Sequence, residues 1–204
     1  MSDAKHRANG MTMLPTAERV LALTFDDGPD AEFTPRVLNI LRRYGTCATF
    51  FCLGAEVAAN PLVAMRIVAE GHQIANHTWS HPHAADVTVS ELLREVSNTS
   101  DAIAEATGER PRWFRPPFGE LTDVQAAAIS EAGYKVAFWT VDSLDWSGIA
   151  GPQIVANVVP ALENGAIVLH HSAGNVAGIV DALPDLIEVC QRLGFRFVRL
   201  DEVS

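Results

Sequence analysis

Cysteine is scarce in this chain, with Cys47, Cys52 and Cys190 the whole supply. An odd number leaves at least one thiol unpaired. Cys47 and Cys52 fall five apart on a segment that reads as a strand, so they face opposite sides and no disulfide framework is expected. Long apolar runs are missing too. No stretch approaches the roughly 18 consecutive apolar residues of a membrane-spanning helix, which argues against a transmembrane span. Residues 1–18 lack the apolar run of a secretory signal, so the residues themselves point to a cytoplasmic protein or to one whose export signal has been removed. Positive charge is in deficit: 15 Lys and Arg stand against 25 Asp and Glu, a formal net charge of −10. A surface that tracks phosphates needs the opposite balance, so nucleic acid is not an expected partner and a neutral or weakly charged one is. Repeats, low-complexity tracts and linkers are absent, and only residues 1–13 read as disordered.

What the chain does have is enough apolar content for one domain with a substantial core: 48% of 204 residues are hydrophobic. Short runs rich in β-branched and aromatic residues recur at 20–24, 46–52, 73–75, 113–114, 136–141, 167–169 and 195–199, about seven strand candidates. Helical periodicity fills the intervals at 34–44, 61–70, 90–107, 123–132, 153–162 and 179–193. Several of these helices end on a glycine, as at Gly45 and Gly108, where a left-handed cap meets no Cβ. Strands alternating with helices predict parallel pairing through right-handed crossovers, hence an open α/β sheet or an α/β barrel.

The unusual polar residues follow the predicted strands, in the segments TFDDGP, NHTWSH, RPPFGE, VDSLDW and LHHS. Parallel strands all point one way, so these loops converge on one mouth, where such folds place their sites. Asp26 and Asp27 diverge at a strand end, so one can bind a metal while the other holds or deprotonates a water. His77 and His81, four apart, would share one side of a helical turn and can share a cation such as Zn²⁺, with an aspartate as third ligand and a position left for water. Arg115 opens a proline-stiffened loop. It can orient one carboxylate of the acidic pair through two parallel hydrogen bonds, and the loop can present a backbone N–H to a developing oxyanion. Asp145 and Trp146 can tune a histidine and wall a small apolar pocket, whereas Asp142 reads as turn-forming. Strand alternation puts His171 on the face of Ile167 and Leu169, so His171 reads as the site histidine, able to donate a proton near neutral pH. His170 reads as a hydrogen-bonded core residue, and His72 and His83 as structural or surface ones.

In this order and spacing the five segments resemble the polysaccharide deacetylases of carbohydrate esterase family four, which include chitin, chitooligosaccharide and peptidoglycan N-acetylglucosamine deacetylases and acetylxylan esterases. The likeness runs from Leu23 to His171 and, with the apolar run 195–200, covers nearly the whole chain. It implies an α/β fold, a distorted (β/α) barrel of about seven parallel strands, as a single catalytic domain over 1–204. It also implies Asp26 as catalytic base and Asp27, His77 and His81 as ligands of one divalent metal ion, zinc first, with cobalt or nickel as alternatives. By the same likeness Arg115 holds Asp26, and the loop backbone at Pro117 and Phe118 helps bind the oxyanion. His171 is then the general acid, tuned by Asp145, while Trp146 and Leu169 line the acetyl-methyl pocket. The implied partner is an acetylated amino-sugar oligo- or polysaccharide, which relatives usually meet in the cell wall or elsewhere outside the cytoplasm. One departure is Leu121-Thr122-Asp123 after RPPFGE, where relatives often carry an asparagine. Competing readings are an acetylxylan O-deacetylase, a ring-opening amidase and a non-catalytic carbohydrate-binding protein. The intact Asp27, His77 and His81 count against the amidase, and Asp26 with His171 against the binding protein; nothing in the sequence excludes the esterase.

Overall fold

β1 (Val20–Asp26) is buried along its whole length, because it runs through the middle of a parallel sheet covered on both faces. The computed structural model describes residues 10–203. After β1 come α1 (Phe33–Tyr44), β2 (Thr49–Cys52), α2 (Gly54–Ala59), α3 (Pro61–Ala69), β3 (Gln73–Asn76), α4 (Val89–Thr107) and β4 (Trp113–Phe114). The second half holds α5 (Asp123–Glu131), β5 (Lys135–Val136), β6 (Val141–Asp142), α6 (Gly151–Val158), β7 (Ile167–His171), α7 (Ala177–Arg192) and β8 (Arg196–Phe197). Seven strands pair in the order β5-β4-β3-β2-β1-β7-β6, all parallel, and the short β8 pairs with Val20 and Leu21 at the start of β1. The result is a curled half-barrel with helices outside, the distorted (β/α) barrel expected. Among the described residues no helix is long and apolar enough to cross a membrane.

Strand alternation separates the side chains that pack under the helices from those that fill the barrel, and then builds the site. On β1, Leu21, Leu23 and Phe25 pack outward with the helices, while Val20 and Ala22 point into the barrel with Phe51, Ala75, Trp113 and Ile167. The inward face continues past Ala22 to Thr24 and Asp26. β7 runs in register beside it, so Ile167, Leu169 and His171 face inward and Val168 faces the helices. The barrel is therefore apolar at its base and polar at the carboxyl ends of its strands.

The run 136–141, expected as one strand, is two. β5 and β6 are opposite edges of the open sheet, and 137–140 cross the gap between them. Ala137 N–H still donates to Phe114 O at one edge (2.9 Å), and Thr140 N–H to Ile167 O at the other (2.9 Å). Residues expected to be disordered complete the closure. Met11 exchanges hydrogen bonds with Val136 O (2.8 Å) and Phe138 N–H (2.7 Å), Thr140 Oγ1 donates to Thr12 O at 2.6 Å, and Met13 bridges to Ala166. The expectation of disorder fails for 10–13 because this backbone supplies partners that the gap would otherwise leave unpaired; 1–9 lie outside the described residues. The helix expected over 153–162 gives way after Val158 to a 3-10 turn containing Pro160.

Candidate active site

Asp26, the last residue of β1, is 3% exposed and is held by the fully buried Arg115. Arg115 Nη1 donates to Asp26 Oδ1 and to Thr24 Oγ1, both at 2.8 Å, and Nη2 donates to Phe138 O at 2.8 Å. The guanidinium also lies 4.2 Å from the centre of the Phe51 ring. The expected pair of parallel bonds to one carboxylate is replaced by a single bond, because the second Nη reaches the segment that closes the sheet. Asp26 Oδ2 is left facing His77 Nε2 at 3.7 Å.

Asp27 follows with φ 71°, which turns its side chain away from that of Asp26. His77 Nε2 and His81 Nε2 each lie 3.4 Å from Asp27 Oδ1, too long for good hydrogen bonds, and this shielded oxygen accepts none. His77 Nδ1 sits 2.7 Å from Arg115 O; a carbonyl only accepts, so Nδ1 carries a proton and Nε2 is the nitrogen turned to the site. The three candidate ligand atoms lie within 4.8 Å of one another. A carboxylate oxygen buried without a donor, beside two aimed imidazole nitrogens, is a set that can hold a divalent metal. Burial alone would raise the Asp27 pKa, but the neighbouring His77, His171 and His81 lower it to about 2, so its carboxylate is ionised.

The helical turn expected over 77–81 is absent. Thr78 and His81 take φ of 71° and 60°, and the loop is pinned from outside. Asn76 Oδ1 accepts Thr78 N–H at 2.9 Å, while Glu95 Oε2 on α4 accepts the N–H groups of Trp79 (2.9 Å) and Ser80 (2.8 Å). Asn76, which opens the NHTWSH segment, and Glu95, which lies in no motif, are supporting residues whose roles the sequence did not reveal. All five non-glycine residues of positive φ among those described, Asp27, Thr78, His81, Phe118 and Leu144, sit in loops after β1, β3, β4 and β6. Strain of roughly 1–3 kcal/mol per residue is thus concentrated at the mouth.

His171 faces the same space. Its Nδ1 pairs with Asp145 Oδ1 at 2.8 Å, and its backbone N–H donates to Asp145 Oδ2 at 2.8 Å, so Nε2 is the nitrogen left for the cavity. Burial works against the imidazolium, yet the Asp145 hydrogen bond and charge, with Asp26 and Asp27, raise the His171 pKa from 6.5 to about 9. Asp142 Oδ1 accepts Leu144 N–H at 2.9 Å and so shapes the turn that presents Asp145. His170 points the other way, against Phe25, but neither of its ring nitrogens makes a hydrogen bond, contrary to the expectation of a satisfied core histidine. Burial instead keeps it neutral, with a pKa lowered to about 4.

These groups border one cavity of about 370 Å³. Asp26, Asp27, His77, His81 and His171 line it, as do Phe118, Trp146 and Leu169. Pro117, expected there, is buried in the loop, and Pro116 lines the wall instead. Trp139 was missed because its run reads as a plain buried strand. Gly28 lets the β1 and β7 loops meet: an added Cβ would fall 2.5 Å from Ser172 Oγ.

An α/β barrel whose mouth gathers a held carboxylate, an Asp/His/His cluster and a carboxylate-supported histidine has the groups of a hydrolytic site on a parallel barrel. The chain belongs to the polysaccharide deacetylase family, which matches residues 14–137 and thereby takes in Asp26, Asp27, His77, His81 and Arg115. It is 39% identical over 188 residues to a peptidoglycan-N-acetylglucosamine deacetylase of Bacillus cereus, covering 91% of this chain and 68% of that protein. It is 38% identical to a chitooligosaccharide deacetylase of Bradyrhizobium sp., covering 91% of this chain and 90% of that one. Among solved structures, a peptidoglycan N-acetylglucosamine deacetylase in complex with 4-naphthalen-1-yl-N-oxidanyl-benzamide superposes with a TM-score of 0.93 at 36% identity, covering 96% of this chain and 92% of that one.

Proposed function

We propose that this chain hydrolyses the N-acetyl groups of N-acetylglucosamine residues in an oligo- or polysaccharide of the chitin or peptidoglycan type, releasing acetate, and that the reaction depends on a divalent metal. The observation that carries this reading is the convergence on one cavity of the unbonded Asp27 Oδ1, the Nε2 atoms of His77 and His81, the Asp26 carboxylate and His171. Zinc suits two imidazoles and a carboxylate, with cobalt or nickel as alternatives. Bound there, the ion supplies Lewis-acid polarisation of the acetyl carbonyl and acidifies a water. Asp26, fixed by Arg115, takes the proton as the water attacks. The backbone at Phe118 faces the developing oxyanion. Trp146 and Leu169 enclose the acetyl methyl. His171, protonated and supported by Asp145, gives the departing amine its proton, which an amide requires because a free amide anion is too poor a leaving group.

The experiment is a product assay on metal-loaded protein with chitooligosaccharides, peptidoglycan and acetylxylan, following acetate and free amine separately. Equal amounts of acetate and amine from the amino-sugar substrates are expected. Acetate from xylan without amine from the others indicates the O-deacetylase, and sugar binding with neither product indicates a non-catalytic carbohydrate-binding protein.

A further inference from the structure

The rings at the cavity mouth form a continuous stack that ends on a candidate metal ligand. Phe118 meets His81 in a T-shaped contact, centroids 4.5 Å apart at 67°, and lies flat on His83, centroids 3.8 Å apart at 8°. His83 is tethered in turn by Nδ1 to Glu120 Oε2 at 3.3 Å. The two candidate histidine ligands are held in unlike ways. His77 is buried and locked through Nδ1 to a backbone carbonyl, whereas the His81 side chain is 26% exposed on an unwound loop. The His81 ring packs between His77, at 5.1 Å, and Phe118. A partly exposed imidazole must surrender rotamer freedom when it ligates, and packing that holds the ring beforehand removes that cost.

We infer that Phe118 and His83 are positioning residues: their stack orients the His81 imidazole and thereby sets the metal affinity of the site. The inference rests on reading Asp27, His77 and His81 as that site. It gives the Phe118 side chain a role separate from its backbone, and it makes His83, which reads from sequence as a structural or surface residue, part of the support.

The test measures Zn²⁺ affinity of the metal-free full chain by competition with a chromophoric chelator, together with the visible absorption spectrum of the Co²⁺ form. Phe118→Ala is expected to bind Zn²⁺ about 10-fold more weakly or worse, the usual range for losing a partner that orients a ligand, with an altered Co²⁺ spectrum. Phe118→Tyr, which keeps the ring and the same φ of 57°, retains wild-type affinity. His83→Ala weakens binding and His83→Phe restores it, since stacking needs a flat ring and not a nitrogen. Phe118 is 50% exposed, so its truncation opens no core cavity. Unchanged affinity in Phe118→Ala, or His83→Phe as weak as His83→Ala, overturns the role of the stack while leaving the site. Failure of the wild-type chain to take up Zn²⁺, or undiminished uptake by His77→Ala, overturns the metal site and the stack's role with it.

Discussion

Asp145 grips His171 at both its ring and its backbone N–H, and the ring hydrogen bond and charge of Asp145, with the charges of Asp26 and Asp27, keep the imidazole charged in a buried place. The folded pKa lies above the usual 6.5, so the ring is protonated at neutral pH and loses its proton as pH rises through about 9. A divalent ion nearby disfavours the imidazolium, so the alkaline limb of kcat/KM in the loaded enzyme falls at or below that value. Asp145→Asn keeps the shape and removes the charge. We expect its alkaline limb to move toward acid by about 1 unit or more, with the acidic limb in place; an unmoved alkaline limb contradicts the assignment of His171. His171 was legible from strand parity alone, because β7 runs its full length beside β1. The single Arg115–Asp26 bond was not, because the competing acceptor, Phe138 O, belongs to a segment whose path a sequence does not reveal.

At the scale of elements, the sequence misled where short segments leave regular structure. His77 and His81 do meet at Asp27, but through two left-handed residues and the reach of Glu95 from α4, and not through helical spacing. A run of apolar residues at 136–141 looks like one strand because both sheet edges need apolar residues, and periodicity carries no mark where the chain steps from one edge to the other. The strap at 10–13 stands in this gap. Through Phe138 and Thr140 it steadies the carbonyl that accepts from Arg115 Nη2. Removing residues 1–13 deletes the three bonds that join Met11 and Thr12 to Val136, Phe138 and Thr140, and at about 0.5–1.5 kcal/mol for each bond should cost roughly 1.5–4.5 kcal/mol of stability. Urea denaturation checks this, and kcat is expected to fall as Arg115 loses support; an unchanged midpoint and rate would show the strap to be idle.

Over the whole molecule, alternation of strand and helix was enough to read the parallel barrel and the edge at which its site lies. Seven parallel strands form the unbroken path, the number expected, but the run 136–141 supplies two of them and the strand expected at 195–199 is the off-path β8, only two residues long. What the sequence could not supply was curvature: the closing of the sheet depends on backbone pairing by a strap that has no periodicity of its own. The proposed reaction requires a metal held by Asp27, His77 and His81, and zinc content per chain and deacetylation rate, taken together on wild type and His77→Ala after removal of metal and reloading, test that requirement most directly. One zinc per wild-type chain, with His77→Ala losing both the ion and the rate by more than about 100-fold, is the predicted result. Full activity in His77→Ala, or wild-type activity that persists with no metal bound, would contradict it.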